Sequence, residues 1–175
     1  MQTRKSISVK YGLISGIILA VMIIALTPLM KNIDDLEKSG TYGMFGMGIG
    51  LSMIFFAIRQ VRDKLQNGII SFGEAFKTGL TVAMIGSLFY VVAWMMYFHF
   101  VDDSFIEIYS KYQIEQVEAG TLKPEEKASQ IKDINEMMVN YRKLPVMFAY
   151  TLMEIFPFGL MITIICAVLM KRKPA

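Results

Sequence analysis

Four long stretches of this 175-residue chain carry almost no charge, and that property limits what the chain can fold into. Tyr11 to Met30 is twenty residues without a charged side chain, and Thr41 to Ile58 is eighteen. Thr78 to Val101 supplies twenty-four with one histidine, and Pro145 to Met170 twenty-six with one acid. A helix rises 1.5 Å per residue, so about 20 apolar residues cross a hydrocarbon core roughly 30 Å thick. Composition agrees, since 54% of residues are hydrophobic and 19% charged, unlike a soluble domain. The expected fold is all-α, a single integral membrane four-helix bundle over residues 1–175. Its spans fall at about 11–30, 41–58, 76–101 and 145–170. Arg4, Lys5 and Lys10 ahead of the first run also fit a secretory signal. That run is long for a signal and no small-x-small site precedes Lys31, so a first membrane helix is expected.

Basic residues in short loops resist translocation and so orient the spans. The N-terminal tail is basic, and so are the second connection (Arg59, Arg62, Lys64 and Lys77 against Asp63 and Glu74) and the tail Lys171, Arg172, Lys173. The first connection sets Lys31 and Lys38 against Asp34, Asp35 and Glu37, while Asp102 to Leu144 holds nine acids and six bases. Basic and acidic segments alternate, as an even number of spans requires. Both termini are expected in the cytoplasm.

The segment 102–144, between the third and fourth spans, reads as an extracytoplasmic helical hairpin. Phe105, Ile108, Tyr109, Tyr112 and Val117 recur at roughly helical spacing, and Gly120 offers a stop. Pro124 suits a first helical position, Glu125 and Glu126 a first turn, and Ile131, Ile134 and Met138 continue a stripe to Pro145. Such a hairpin serves either as a solvated cap or as a docking surface.

Before the third span, Ser71 is followed three residues later by Glu74, the capping-box spacing, with Ile70 ahead of it as a staple. Lys77 can snorkel toward headgroups. Ser71, Glu74 and Lys77 therefore read as a helix start; a catalytic Glu–Lys pair is the rival. Ala75, Gly79, Ala83 and Ser87 then place only small residues on one face of that span. Gly12 and Gly16 do so on the first, Gly46 and Gly50 on the second, and Gly159 with Thr163 and Ala167 on the fourth. Helices in lipid associate through such small-xxx-small faces, so a tight bundle with little room for an aqueous pore is expected.

The run NGIISFGEAFKTGL, then FYVVAWMMYF, resembles the domain-of-unknown-function family numbered 4199, and KYGLISG resembles its opening. Gly68, Ser71, Phe72, Ala75, Phe76, Lys77 and Gly79 carry the likeness most specifically. The resemblance implies a small four-span inner-membrane protein of the Bacteroidota. It brings no activity, cofactor or catalytic residue.

Glu154 is the only charged residue well inside a span, nine residues beyond Pro145 and so about 13 Å deep. An ionisable group there costs on the order of 2.5 to 3.5 kcal/mol on insertion scales, which marks it as a functional candidate. Pro157, three residues on, has no N–H for the Met153 carbonyl. Matching depths from the other ends suggests Ser52, Tyr90 and Trp94 as its neighbours. Either Glu154 is a protonated hydrogen-bonder that sets register, or it binds a proton, a cation or a headgroup.

Cys166 is the only cysteine and lies within the fourth span, so no internal disulfide is open to the chain. The single His99 excludes two-histidine metal motifs. No catalytic residue, metal or cofactor is expected, and no nucleic-acid partner. The leading expectation is a non-catalytic accessory or assembly subunit that meets the bilayer and another inner-membrane protein, or a second copy of itself. The alternative is a small transporter or lipid-binding protein using Glu154. An enzyme is the weakest reading, with no acidic cluster and no G-x-S-x-G turn.

Overall fold

A computed structural model describes residues 3–29 and 33–172 of the chain. Among the described residues seven α-helices follow one another: α1 (Arg4–Leu26), α2 (Ile33–Leu51), α3 (Met53–Leu65), α4 (Phe72–Phe100), α5 (Phe105–Ala119), α6 (Pro124–Tyr141) and α7 (Leu144–Met170). A single 3-10 turn, Thr27–Leu29, ends α1. Four helices are long and apolar enough to cross a membrane: α1, the Thr41–Leu65 run of α2 and α3, α4 and α7. The fold is all-α, with α5 and α6 forming a hairpin between the third and fourth spans.

The second span is divided into α2 and α3 by a break in its regular hydrogen bonding at Ser52, whose N–H still donates to the Gly48 carbonyl at 2.9 Å while its own carbonyl accepts from the Phe55 N–H at 3.0 Å. Just before the break, the Gly50 carbonyl accepts from the Ser15 hydroxyl of α1 at 2.8 Å. Beyond it, α3 runs well past the apolar block, because Arg59, Asp63 and Lys64 form an outer face over buried Ala57, Ile58 and Val61, with the Arg62 side chain mostly covered. Asp63 pairs with Arg62 at 2.7 Å and with Arg59 at 3.5 Å. Residues expected in a loop are therefore helical, and the connection shrinks to 66–71. Asn67 and Gly68 turn it with φ of 50° and 86°, a conformation glycine adopts without strain. Lys31 and Lys173 lie outside the described residues, as do the side chains of Asp34, Asp35, Glu37 and Lys38.

Ser71 caps α4. Its hydroxyl accepts from the Glu74 N–H at 3.3 Å, and the Glu74 carboxylate accepts from the Ser71 N–H at 3.4 Å and from Gln66 at 2.6 Å. Lys77 is exposed and makes no ion pair with Glu74 among the described residues. The Arg172 N–H donates to the Ile70 carbonyl at 3.0 Å, tying the end of α7 to this same turn.

Helix α4 is the centre of the bundle, packed mainly on α1 and α7. The glycines work as sockets. Ile85 and Phe89 of α4 sit over Gly12 and Gly16 of α1, and Met22 and Leu19 of α1 sit over Gly46 and Gly50 of α2. Thr163 of α7 sits over Gly79, while Gly159 against Ala83 and Gly86 against Ser15 are small against small. A side chain in a glycine socket brings helices together by van der Waals contact, the main attraction available in lipid. Leu51, Ile54, Ile58, Val82 and Ile155 fill the space between, all fully buried. A second apolar cluster joins the hairpin to the end of α4. There Ile106 and Met138 pack on Phe98 and Met147, with Trp94, Tyr109, Ile134 and Tyr141 around them.

Candidate functional site

The bundle closes tightly around α4 but opens where the hairpin joins it. A cavity of about 130 Å³ lies there. Its apolar wall is Leu19, Met22, Ile23 and Leu26 of α1 with Met47 of α2. Its polar wall is Tyr90 and Trp94 of α4, Tyr141 of α6, and Thr151 and Glu154 of α7, with Thr27 and Phe105 at the edge. Aromatic side chains from α4, α5 and α6 face the Met22–Gly46 contact at this level, and a gap is left between them.

Helical spacing explains why these residues meet. Tyr90 and Trp94 are four apart and share a face of α4, and Thr151 and Glu154 are three apart on α7. Phe105 opens α5 and Tyr141 closes α6, so the two ends of the hairpin bracket the cavity. The Trp94 and Phe105 rings meet edge to face, centroids 5.0 Å apart. Tyr141 meets Phe98 at 6.4 Å and Tyr150 at 6.1 Å in the same manner.

Hydrogen bonds fix the polar wall. The Trp94 indole N–H donates to the Tyr141 oxygen at 2.8 Å, and that oxygen lies 3.5 Å from the Thr151 hydroxyl. Thr27 spends its hydroxyl on the Ile23 carbonyl at 2.7 Å. Burial of Tyr141 pushes its phenol above the ordinary range, so it stays a neutral donor. Glu154 lies close enough to act electrostatically on Tyr90 and Tyr141. Among the described residues no hydrogen bond or ion pair reaches its carboxyl, and the residue is exposed. Pro157 lies within α7 and the helix continues through it.

Of the neighbours that depth matching suggests for Glu154, Tyr90 and Trp94 line the cavity and Ser52 does not. The Ser52 hydroxyl donates instead to the Ile49 carbonyl of its own helix at 2.6 Å. Gly46, read from sequence as a packing residue, lines the cavity as well. Tyr141 and Thr151 were not singled out from sequence. Thr151 had a signal, its place one turn from Glu154, whereas Tyr141 enters only through docking of the hairpin. His99 sits apart, exposed and edge-on to Phe100. Among the described residues no three His, Cys, Asp or Glu side chains gather where they could hold a metal.

One carboxyl, two phenols and a threonine face an apolar wall, a make-up suited to binding a small molecule. Residues 10–172 match the model of a family described as "Protein of unknown function (DUF4199)". No curated protein and no solved structure matches the chain.

Proposed function

The chain belongs to the DUF4199 family, and we propose that this member is a non-catalytic inner-membrane protein that holds a small amphipathic molecule in the cavity beside Glu154. The observation that carries this reading is the cavity itself, an apolar wall facing one carboxyl that no other described group satisfies. Small-molecule sites have that make-up, mostly apolar with a few fixed polar groups. An intramembrane acid without a partner is a functional candidate by default. The proposed orientation puts both termini in the cytoplasm and the hairpin outside. It rests on the basic segments Arg4–Lys10, Arg59–Lys77 and Lys171–Lys173 and on the acidic excess of 102–144.

Trp94 makes the test direct, because it is the only tryptophan and it lines the cavity. Gly43 lines it too, and a side chain there starts in open space. Gly43→Leu should therefore fill the cavity without a clash. A brominated twelve-carbon alcohol should quench Trp94 saturably in the wild type and not in Gly43→Leu. Equal, unsaturable quenching of both would sink the reading.

The accessory-subunit reading draws on α2, where Gly48 faces open space beside Phe45, which is 69% exposed. A partner helix could approach closely there. A photocrosslinker at Phe45 should then capture a single partner in cells, and only lipid adducts would count against it.

A further inference from the structure

The chemistry of the cavity wall narrows the occupant, given the reading that the cavity binds an amphipathic molecule. Among its lining residues there is one acid and no Lys, Arg or His. Some of its donors are spent: the Trp94 N–H is on Tyr141, the Thr27 hydroxyl is on Ile23, and one hydroxyl hydrogen lies between Tyr141 and Thr151 at 3.5 Å. That leaves the Tyr90 hydroxyl and the other hydrogen of that pair. The wall also presents the Glu154 carboxyl and the rings of Tyr90, Trp94, Phe105 and Tyr141. An anionic head would meet the like charge of Glu154 and no Lys, Arg or His to offset it. A cationic head would meet a carboxylate and ring faces, and a cation over aromatic rings is attracted most when both are desolvated. Leu19, Met22, Leu26 and Met47 continue the wall as a track for an alkyl chain.

We propose that the occupant is an ammonium group carried on an apolar chain, with the cation paired to Glu154 and caged by Tyr90, Trp94, Phe105 and Tyr141. Pairing resolves the isolated acid, because two opposite charges in contact cost far less in a low-dielectric site than either alone. Two sources share this chemistry: a free lipophilic amine, and the amino headgroup of a phospholipid in the leaflet on the hairpin side.

The experiment titrates the full-length protein, in micelles of an uncharged maltoside, with four probes while following Trp94 emission. Dodecylammonium should shift the emission saturably, roughly tenfold or more tighter than dodecanol, and dodecanoate should fail to compete with it. Glu154→Gln should bring dodecylammonium down to the dodecanol level and leave dodecanol unchanged. Short-chain phosphatidylethanolamine is the fourth probe. Binding at least as tight as dodecylammonium assigns the lipid headgroup as source, and weaker binding assigns a free amine. If dodecanol binds as tightly as dodecylammonium and Glu154→Gln changes neither, the cation inference is overturned while the cavity reading stands. If no probe shifts Trp94, both fall. Should Glu154→Gln fail to fold, the comparison between dodecylammonium, dodecanol and dodecanoate in the wild type still decides.

Discussion

A series of glycine-to-alanine substitutions separates sockets from bystanders, because the same added methyl meets three different surroundings. At Gly48 a Cβ has nothing within 4 Å, so the change gains only helix propensity, up to about 1 kcal/mol. At Gly46 it would lie 2.8 Å from the Met22 terminal methyl, the end of a flexible chain that can swing away, so gain and cost should nearly cancel. At Gly16 it would lie 2.5 Å from Phe89 Cγ and 2.7 Å from Phe89 Cβ. No rotamer moves a Cβ, so α1 and α4 must part, which costs about 1 to 3 kcal/mol in a packed core. Both changes gain helix propensity, so Gly16→Ala and Gly48→Ala should differ by the packing cost, roughly 1 to 3 kcal/mol, or roughly 5- to 150-fold in the folding equilibrium. Unfolding by SDS titrated into maltoside micelles, followed by circular dichroism, measures this. The expected order of stability is Gly48→Ala, then wild type close to Gly46→Ala, then Gly16→Ala. A Gly16→Ala protein as stable as Gly48→Ala would refute the socket argument.

Four more outcomes follow from the same reasoning. In a Cys166→Ala background, Ser129→Cys should react with an impermeant thiol reagent applied from outside and Lys173→Cys should not; the reverse pattern overturns the orientation. Ser71→Ala removes the cap of α4 and should cost about 0.5 to 2 kcal/mol in the same SDS titration, and no loss would remove the capping role. Thr163→Val keeps the shape that fills the Gly79 socket while deleting a buried hydroxyl that has no partner among the described residues, so it should stabilise by roughly 1 to 3 kcal/mol. Glu154→Leu should unfold at higher SDS than wild type yet lose dodecylammonium binding, whereas destabilisation would mean that the carboxyl holds the bundle together.

The spans and the hairpin were legible because each leaves a local mark. Uncharged blocks of membrane length announce helices, and Gly120 with Pro124 announces the hairpin turn, which the structure places between Ala119 and Pro124. The break at Ser52 left no such mark: no proline lies near it, and the Ser15 hydroxyl that takes the Gly50 carbonyl comes from another helix. The glycine faces were visible, but what they face was not. A repeat of small residues cannot say whether another small residue or a Phe89 will fill it. The cavity was the least legible feature, since its wall draws on α1, α2, α4, α6 and α7 at once. Depth counting along straight spans could suggest Tyr90 and Trp94, but it also suggested Ser52, which turns inward to its own helix.

Side-chain size is used in two ways within one bundle. Between α1, α2, α4 and α7 the glycine sockets are filled by neighbours of this chain. Beside the hairpin α4 and α6 carry large rings, and the tips of Trp94 and Tyr141 are fixed to one another. A ring held by a hydrogen bond cannot collapse into the gap beside it, so the cavity is kept open by the same bond that satisfies the indole. Glu154 faces that gap without a described partner, at a cost that leucine would not carry. A chain required only to span a membrane and pack would be more stable without the carboxyl and without the gap. Their coincidence on one wall, opposite a track of Leu19, Met22 and Met47, is the observation from which the binding proposal is argued.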